Sequence, residues 1–188
     1  MDDTSIALAP KSLSLIWQDT VAAGFMVASD HQTGSLLRAL AASRPLGRLL
    51  ELGTGTGLSA AWILEGMDPD STLDSVDNDA AVSEIALRHL GHDPRLRLHV
   101  QDGATFLANA GTDWYDFIFA DAWPGKYSDL DLAIASLKVG GLYIIDDMVP
   151  QPNWTAEHCE IAGALCRTLE SRTDLHLAKL NWSTGLLL

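Results

Sequence analysis

Short apolar runs separated by longer amphipathic stretches recur along the 188-residue chain, and this alternation predicts its fold. Strands are expected near Arg48 to Leu52, Thr72 to Val76, Leu96 to Val100, Phe117 to Ala120 and Leu142 to Ile145, each short and apolar as buried parallel strands are. Helices are expected between them. Lys11 to Ser43 reads as two helices, with Leu36, Leu37 and Leu40 at helical spacing in the second and Pro45 marking its end. After the fifth strand, Pro150 and Pro152 mark a loop, and a helix follows from about Thr155 to Ser171. Two closing strands, Leu175 to Leu180 and Gly185 to Leu188, flank an Asn181-Trp182-Ser183-Thr184 hairpin link. Met1 to Pro10 reads as a loose arm. The pattern is α/β, and spacing alone leaves the strand order open.

One stretch carries more than fold. Leu49-Leu50-Glu51-Leu52-Gly53-Thr54-Gly55-Thr56-Gly57-Leu58-Ser59 reads as a buried strand running through a glycine turn into a helix, where α/β folds place nucleotide-like cofactors. Gly53 and Gly55 admit a ligand to the main chain, and Gly57 lets the helix pack close to the strand. The spacing is GxGxG, without the extra residue by which dinucleotide folds seat a pyrophosphate on the helix N-terminus. Glu51 precedes the first glycine by two residues, which suits a cationic ligand.

Acids follow at the ends of the next strands. Asp77 can accept both hydroxyls of a ribose, with Asn78 as a second contact. Asp102 can accept from an adenine amino group, and Gly103 and Ala104 leave room for the ring. Lone aspartates at strand ends also act as caps and turn formers, so it is their succession that points to a ligand.

Composition narrows the classes. At 47% hydrophobic, 188 residues can bury one substantial core, and nothing marks a second domain. No apolar run approaches the roughly 20 residues needed to cross a bilayer, and Met1-Asp2-Asp3 lacks a basic start, so a cytoplasmic protein without a membrane partner is expected. A net charge of -13 with 12 Lys plus Arg argues against a nucleic-acid partner and leaves a small-molecule substrate. Cys159 and Cys166 lie seven apart on one helix, about 10 Å along its axis, too far to bridge each other.

Taken together, ELGTGTG, Asp77 and Asp102 resemble the class I S-adenosylmethionine-dependent methyltransferases over nearly the whole chain. A closer likeness, to the small-molecule O-methyltransferases related to catechol and caffeoyl-CoA O-methyltransferases, rests on three segments: Thr33 to Leu37, Tyr115 to Ala122 and Gly140 to Asp147. The resemblance implies a single Rossmann-like domain over 1–188, with a seven-stranded sheet, helices on both faces and an antiparallel last strand. Within it, 1–45 would be a helical lid segment, to which Trp17 and Met26 could contribute, and 46–188 the cofactor-binding core. S-adenosylmethionine would be held by Glu51, Gly53, Thr54, Gly55, Ser59, Asp77, Asn78, Asp102, Gly103, Ala104 and Asp121. A homodimer is also implied.

The resembled enzymes transfer a methyl group to a hydroxyl oxygen, and a hard cation such as Mg²⁺ can lower the acceptor pKa. In them the metal is held by an Asp after the fourth strand and an Asp-Asn pair after the fifth, which here become Asp121, Asp146 and Asp147, with Asp147 replacing the asparagine. A one-residue shift would match Asp147 and Met148 instead; the first alignment also places Gly140-Gly141. The lysine usual three residues after the strand-end aspartate is replaced by Pro124. Lys126 comes two positions later, either a base for the acceptor if the loop bends or an exposed residue before a helix. Asp121, Lys126 and His158 are the candidate catalytic residues. Trp123, Tyr127 and Trp154 fall in the two loops predicted to overhang the acceptor and could stack on a planar substrate. Two alternatives remain: a metal-independent methyltransferase with an oxygen or nitrogen acceptor, and a non-catalytic S-adenosylmethionine-binding protein. A nicotinamide dehydrogenase fits worst, since neither the pyrophosphate spacing nor a Tyr/Lys pair at helical spacing is present.

Overall fold

The run Arg48–Leu52 forms β1, with Leu49, Leu50 and Leu52 buried. The computed structural model describes residues 9–188; most of the expected N-terminal arm, residues 1–8, lies outside the described residues. Alternate residues of a strand meet opposite layers. Leu49 joins Leu73 of β2 (Thr72–Asp77) and Phe117 and Phe119 of β4 (Tyr115–Ala120), beneath helices α1 (Leu13–Ala22), α2 (His31–Ala42), α3 (Leu58–Gly66) and α4 (Ala80–Leu90). On the other face, Leu50 and Leu52 meet Val76 and Ile118 beneath α5 (Gly103–Asn109) and α6 (Leu130–Ser136). Further along that face, Leu165 and Leu169 of α7 (Ala156–Glu170) pack on Ile145 of β5 (Leu137–Ile145) and Leu187 of β7 (Leu186–Leu187).

With β3 (Leu96–Val100) and β6 (Lys179–Leu180), the sheet has seven strands in the order β3-β2-β1-β4-β5-β7-β6. The first five are mutually parallel, and β7 runs antiparallel to both β5 and β6. The order reverses between β1 and β4, whose following helices lie on opposite faces. This opens a crevice at their carboxyl ends, where α/β sheets bind ligands. Among the described residues no helix is long and apolar enough to cross a membrane.

Several expected strands differ in extent: β4 starts two residues early, at Tyr115, and β7 keeps only Leu186–Leu187 of the expected Gly185 to Leu188. β5 begins at Leu137, five residues early, because it runs through Gly140 and Gly141 with a register shift against β4. β6 is cut to two residues: it lies at the sheet edge, and before it only Ala178 exchanges backbone bonds, with Leu188. The Thr33-Gly34-Ser35 segment has a packing role, since a Cβ at Gly34 would lie 2.1 Å from the buried Trp62 ring of α3. Asp30 caps α2 by accepting from the Thr33 N–H at 2.8 Å and also accepts from the Ser183 hydroxyl, tying the C-terminal hairpin to the start of that helix.

Candidate active site

Three glycines with positive φ carry the chain from β1 into α3: Gly53 at 101°, Gly55 at 50° and Gly57 at 94°. At Gly53 a Cβ would also lie 2.7 Å from the Asp121 carbonyl oxygen, so the turn is pressed against the end of β4. Gly53 donates to the Val76 carbonyl at 2.9 Å, and Gly55 donates to Asp77 Oδ2 at 2.7 Å. Asp77 therefore pins the loop, and its Oδ1 accepts from the Asp79 N–H.

A cavity of about 550 Å³ opens over this turn. Gly53, Thr54, Gly55 and Ser59 line its loop side, Asp77, Asn78, Asp102, Gly103 and Ala104 the side toward β2 and β3, and Asp121 its far wall. Asp102 also caps α5, its Oδ1 accepting from the Thr105 N–H at 2.8 Å. Of the expected cofactor residues Glu51 alone stays out. It is wholly buried and accepts from the Ser75 hydroxyl, which in turn meets the Thr54 hydroxyl at 2.5 Å. Its Oε1 has no hydrogen-bond partner among the described residues. Burial pushes this carboxyl up to about 7 against the opposing pull of the Ser59 and Ser75 hydroxyls.

A second cavity, about 430 Å³, adjoins the first. The two share Val27, Ala28, Ser29, Asp121, Ala122, Trp123 and Asp147. Three carboxylates gather here. Burial, reinforced by Asp146 and Asp147, raises Asp121 well above the usual range, and the Ser29 hydroxyl donates to its Oδ2 at 3.1 Å. Burial takes Asp146 to about 6, although its Oδ1 accepts from the Asp147 N–H at 2.7 Å and from the Thr184 hydroxyl. Asp147 stands at φ 50° and is also raised by burial, with the Lys126 charge opposing.

Lys126 is 5% exposed. The expectation of an exposed lysine fails because the loop coils back on itself: Tyr127 and Ser128 both donate to the Trp123 carbonyl, at 2.9 and 3.0 Å, and Gly125 donates to Ser128 at 2.7 Å. Tyr143 donates its hydroxyl to the Gly125 carbonyl, holding the turn down on the sheet. Burial lowers the lysine pKa, against the pull of Asp121, Asp147 and Asp146.

Rings line the opposite side of the second cavity. His158 lies 4.2 Å from Trp154 and 5.4 Å from Tyr127 between centroids, and its Nε2 meets the Tyr127 hydroxyl at 3.2 Å. Trp123 stands 5.0 Å from Tyr127. Thr155, capping α7 by accepting from the His158 N–H, sets the histidine on the first turn of the helix.

A methyltransferase-domain family matches residues 50–148, more than half of the chain, from β1 to the end of the second cavity's carboxylate pair. The chain belongs to this methyltransferase family. A Mycobacterium ulcerans protein provisionally named an O-methyltransferase is 32% identical over 117 residues, 60% of this chain and 52% of that protein. The chain thus spans about half the length of the curated relatives it matches. Among solved structures, an O-methyltransferase of tomaymycin synthesis from Streptomyces achromogenes, in complex with S-adenosylmethionine, superposes with a TM-score of 0.83 at 22% identity, covering 98% of this chain and 91% of the other. An O-methyltransferase from Bacillus cereus, in complex with S-adenosylhomocysteine, gives 0.81 at 16%, covering 97% and 91%. These likenesses establish the fold.

Within this methyltransferase domain the three expected metal residues, Asp121, Asp146 and Asp147, line one cavity. Among the described residues no group of three His, Cys, Asp or Glu side chains could hold a metal ion. Asp121 and Asp146 are instead engaged by Ser29, Thr184 and the Asp147 N–H, and a buried ammonium lies in the same cavity. The segment between α1 and α2 contributes residues that sequence reasoning passed over: Phe25, whose ring packs against Gly55, and Val27, Ala28 and Ser29 on the shared wall. Met26 lines the second cavity, whereas Trp17 lines neither. No motif marks 25–29, because a loop of small and apolar residues announces nothing until the fold lays it over the crevice.

Proposed function

We propose that the chain is an S-adenosylmethionine-dependent O-methyltransferase whose acceptor is a small, planar hydroxyl compound. The observation that carries this reading is the shared wall of the two cavities: a donor in the first and an acceptor in the second would lie side by side. Such positioning can contribute roughly 7–11 kcal/mol toward the barrier. Gly53, Thr54 and Gly55 would hold the amino-acid part of the cofactor. Asp77 and Asn78 would hold its ribose, since each Asp77 oxygen keeps a lone pair beyond the backbone bond it accepts. Asp102, Gly103 and Ala104 would hold the adenine. The bound cofactor supplies a methyl group on a positively charged sulfur. Val27, Ala28 and Ser29 line both cavities and would form part of a lid, and the rings of Trp123, Tyr127 and Trp154 would offer flat apolar surface to the acceptor. The O-methyltransferase names of the relatives support the same reading.

Calorimetric titration with S-adenosylhomocysteine, followed by transfer assays on catechols, phenols and amines, tests it. The wild type is expected to bind, and Asp77→Ala to bind about ten- to a hundredfold more weakly, since a hydrogen bond to a charged group is worth about 1.5–3 kcal/mol. Absence of binding would defeat the cofactor assignment. Turnover confined to amines would move the acceptor atom to nitrogen, and binding without turnover on any acceptor would leave a sensor or partner role.

A further inference from the structure

Lys126 is a buried cation that lies over an aromatic ring and has no ion-pair partner among the described residues. Its ammonium makes no hydrogen bond among them either, and it rests 4.9 Å over the Tyr127 ring. A charge removed from water is retained only where something compensates it. Here Asp121, Asp147 and Asp146 act on it through space, and all four residues line the second cavity. The hydrogen-bonded Trp123–Ser128 turn fixes it there, so the inward position is built into the backbone.

We propose that Lys126 serves as a fixed internal cation in the place where the resembled O-methyltransferases use a divalent metal, excluding such a metal from the carboxylates and stabilising the acceptor oxygen as it ionises. This rests on the methyl-transfer reading above. Two independent observations support it: among the described residues the carboxylates form no metal-holding group, and an ammonium that makes no ion pair lines the same cavity. A second cation introduced among these carboxylates would meet the lysine's repulsion in the cavity they share. In the reaction the acceptor hydroxyl releases its proton to water at the cavity mouth and its oxygen attacks the methyl carbon. The C–O bond forms as the C–S bond breaks, and the electron pair returns to sulfur. Lys126 keeps its protons throughout.

Two measurements on the full chain with S-adenosylhomocysteine test this. Paramagnetic resonance of added Mn²⁺ is expected to show the ion free beside the wild type and bound by Lys126→Met, in which the carboxylates lose their counter-charge. Bound 4-nitrocatechol, whose visible absorption reports ionisation, is expected to lose its proton at lower pH on the wild type than in solution. EDTA should leave that shift unchanged, Lys126→Arg should keep it and Lys126→Met should lose it, with methyl transfer slowed about a hundredfold in the Met variant. Stoichiometric Mn²⁺ on the wild type that Asp146→Asn abolishes would overturn the proposal, as would Mn²⁺ left free by both proteins. An EDTA-sensitive shift, or no shift on the wild type, would also overturn it, and this arm decides alone if Lys126→Met fails to fold. Failure of the wild type to bind S-adenosylhomocysteine would defeat the cofactor assignment, while the Mn²⁺ arm would still report on Lys126.

Discussion

The two cavities share a wall but are made of different material. The first is bounded largely by main chain and short side chains at the ends of β1, β2 and β3: Gly53, Thr54, Gly55, Gly103 and Ala104, with Asp77 bonded to the loop it faces. The second is bounded by long side chains from four separate segments: Met26, Lys126, Trp154 and His158 among them. A wall made of backbone has one workable shape, so the fold sets what it can hold. A wall of side chains on loops can be recast without disturbing the sheet, and acceptor choice belongs there. The difference teaches that damage to the first cavity should reach the whole molecule, whereas damage to the second should stay local.

The hardest test of that contrast is Gly53→Ala. The residue stands at φ 101°, and its Cβ would meet the Asp121 carbonyl oxygen at 2.7 Å, a backbone atom that cannot swing aside. Strain at such a position and the shift needed to relieve it should together cost about 4 kcal/mol of stability. Thermal unfolding should show that loss, and calorimetry a loss of S-adenosylhomocysteine affinity of at least about a hundredfold. An alanine variant that unfolds and binds like the wild type would mean that the turn is not the rigid element it is taken to be.

The same contrast explains what could be read in the sequence. Gly53, Gly55, Asp77 and Asp102 were legible because positive φ and strand-end position restrict residue type, and β1, β2 and β4 were legible because they are buried on both faces. Glu51 shows a reading that stopped short. Lying between Leu50 and Leu52 in a strand covered on both sides, it had to face the interior, and it meets Ser75 instead of the cavity. Lys126 was ambiguous, since a two-residue offset says nothing about a loop that folds back through hydrogen bonds to the Trp123 carbonyl. Phe25 and the run Val27 to Ser29 carried no signal, because their place depends on the Asp30 cap and its tie to Ser183, a contact about 150 residues apart in the chain.

Glu51 allows the wall of the first cavity to be separated from its lining. Its carboxyl is raised from 4.5 to about 7, chiefly by burial, so the folded state holds the proton that the unfolded chain has released. Below about 4.5 both states are protonated and the group costs nothing. Between 4.5 and 7 stability falls as pH rises, and above 7 the full cost applies, about 3 kcal/mol. Asp146, raised to about 6, adds to the same slope at its lower end. Glu51→Gln should therefore flatten the decline in melting temperature from pH 5 to about pH 8 and be the more stable protein at the upper limit. Its affinity for S-adenosylhomocysteine should change much less than that of Asp77→Ala. A variant with the wild-type pH profile would show that Glu51 ionises as freely folded as unfolded, and a large loss of affinity would return it to the lining.

The smallest effect is expected at Tyr127, and it tests whether the second cavity is as local as its construction suggests. Burial holds the phenol up to about 12, so the hydroxyl stays neutral at physiological pH and cannot act as a base; its role is the 3.2 Å hydrogen bond to His158 Nε2. Tyr127→Phe keeps the ring beside Trp123 and His158 and removes that bond, worth about 1 kcal/mol. The histidine, still packed among the rings at 123, 127 and 154, would lose the hydrogen bond that fixes its tilt. Steady-state kinetics should show the acceptor KM raised about fivefold, with kcat and S-adenosylhomocysteine affinity unchanged. If cofactor affinity fell in step with acceptor affinity, the side-chain wall would be coupled to the backbone wall through Trp123 and Asp121, and the two cavities would have to be treated as one site.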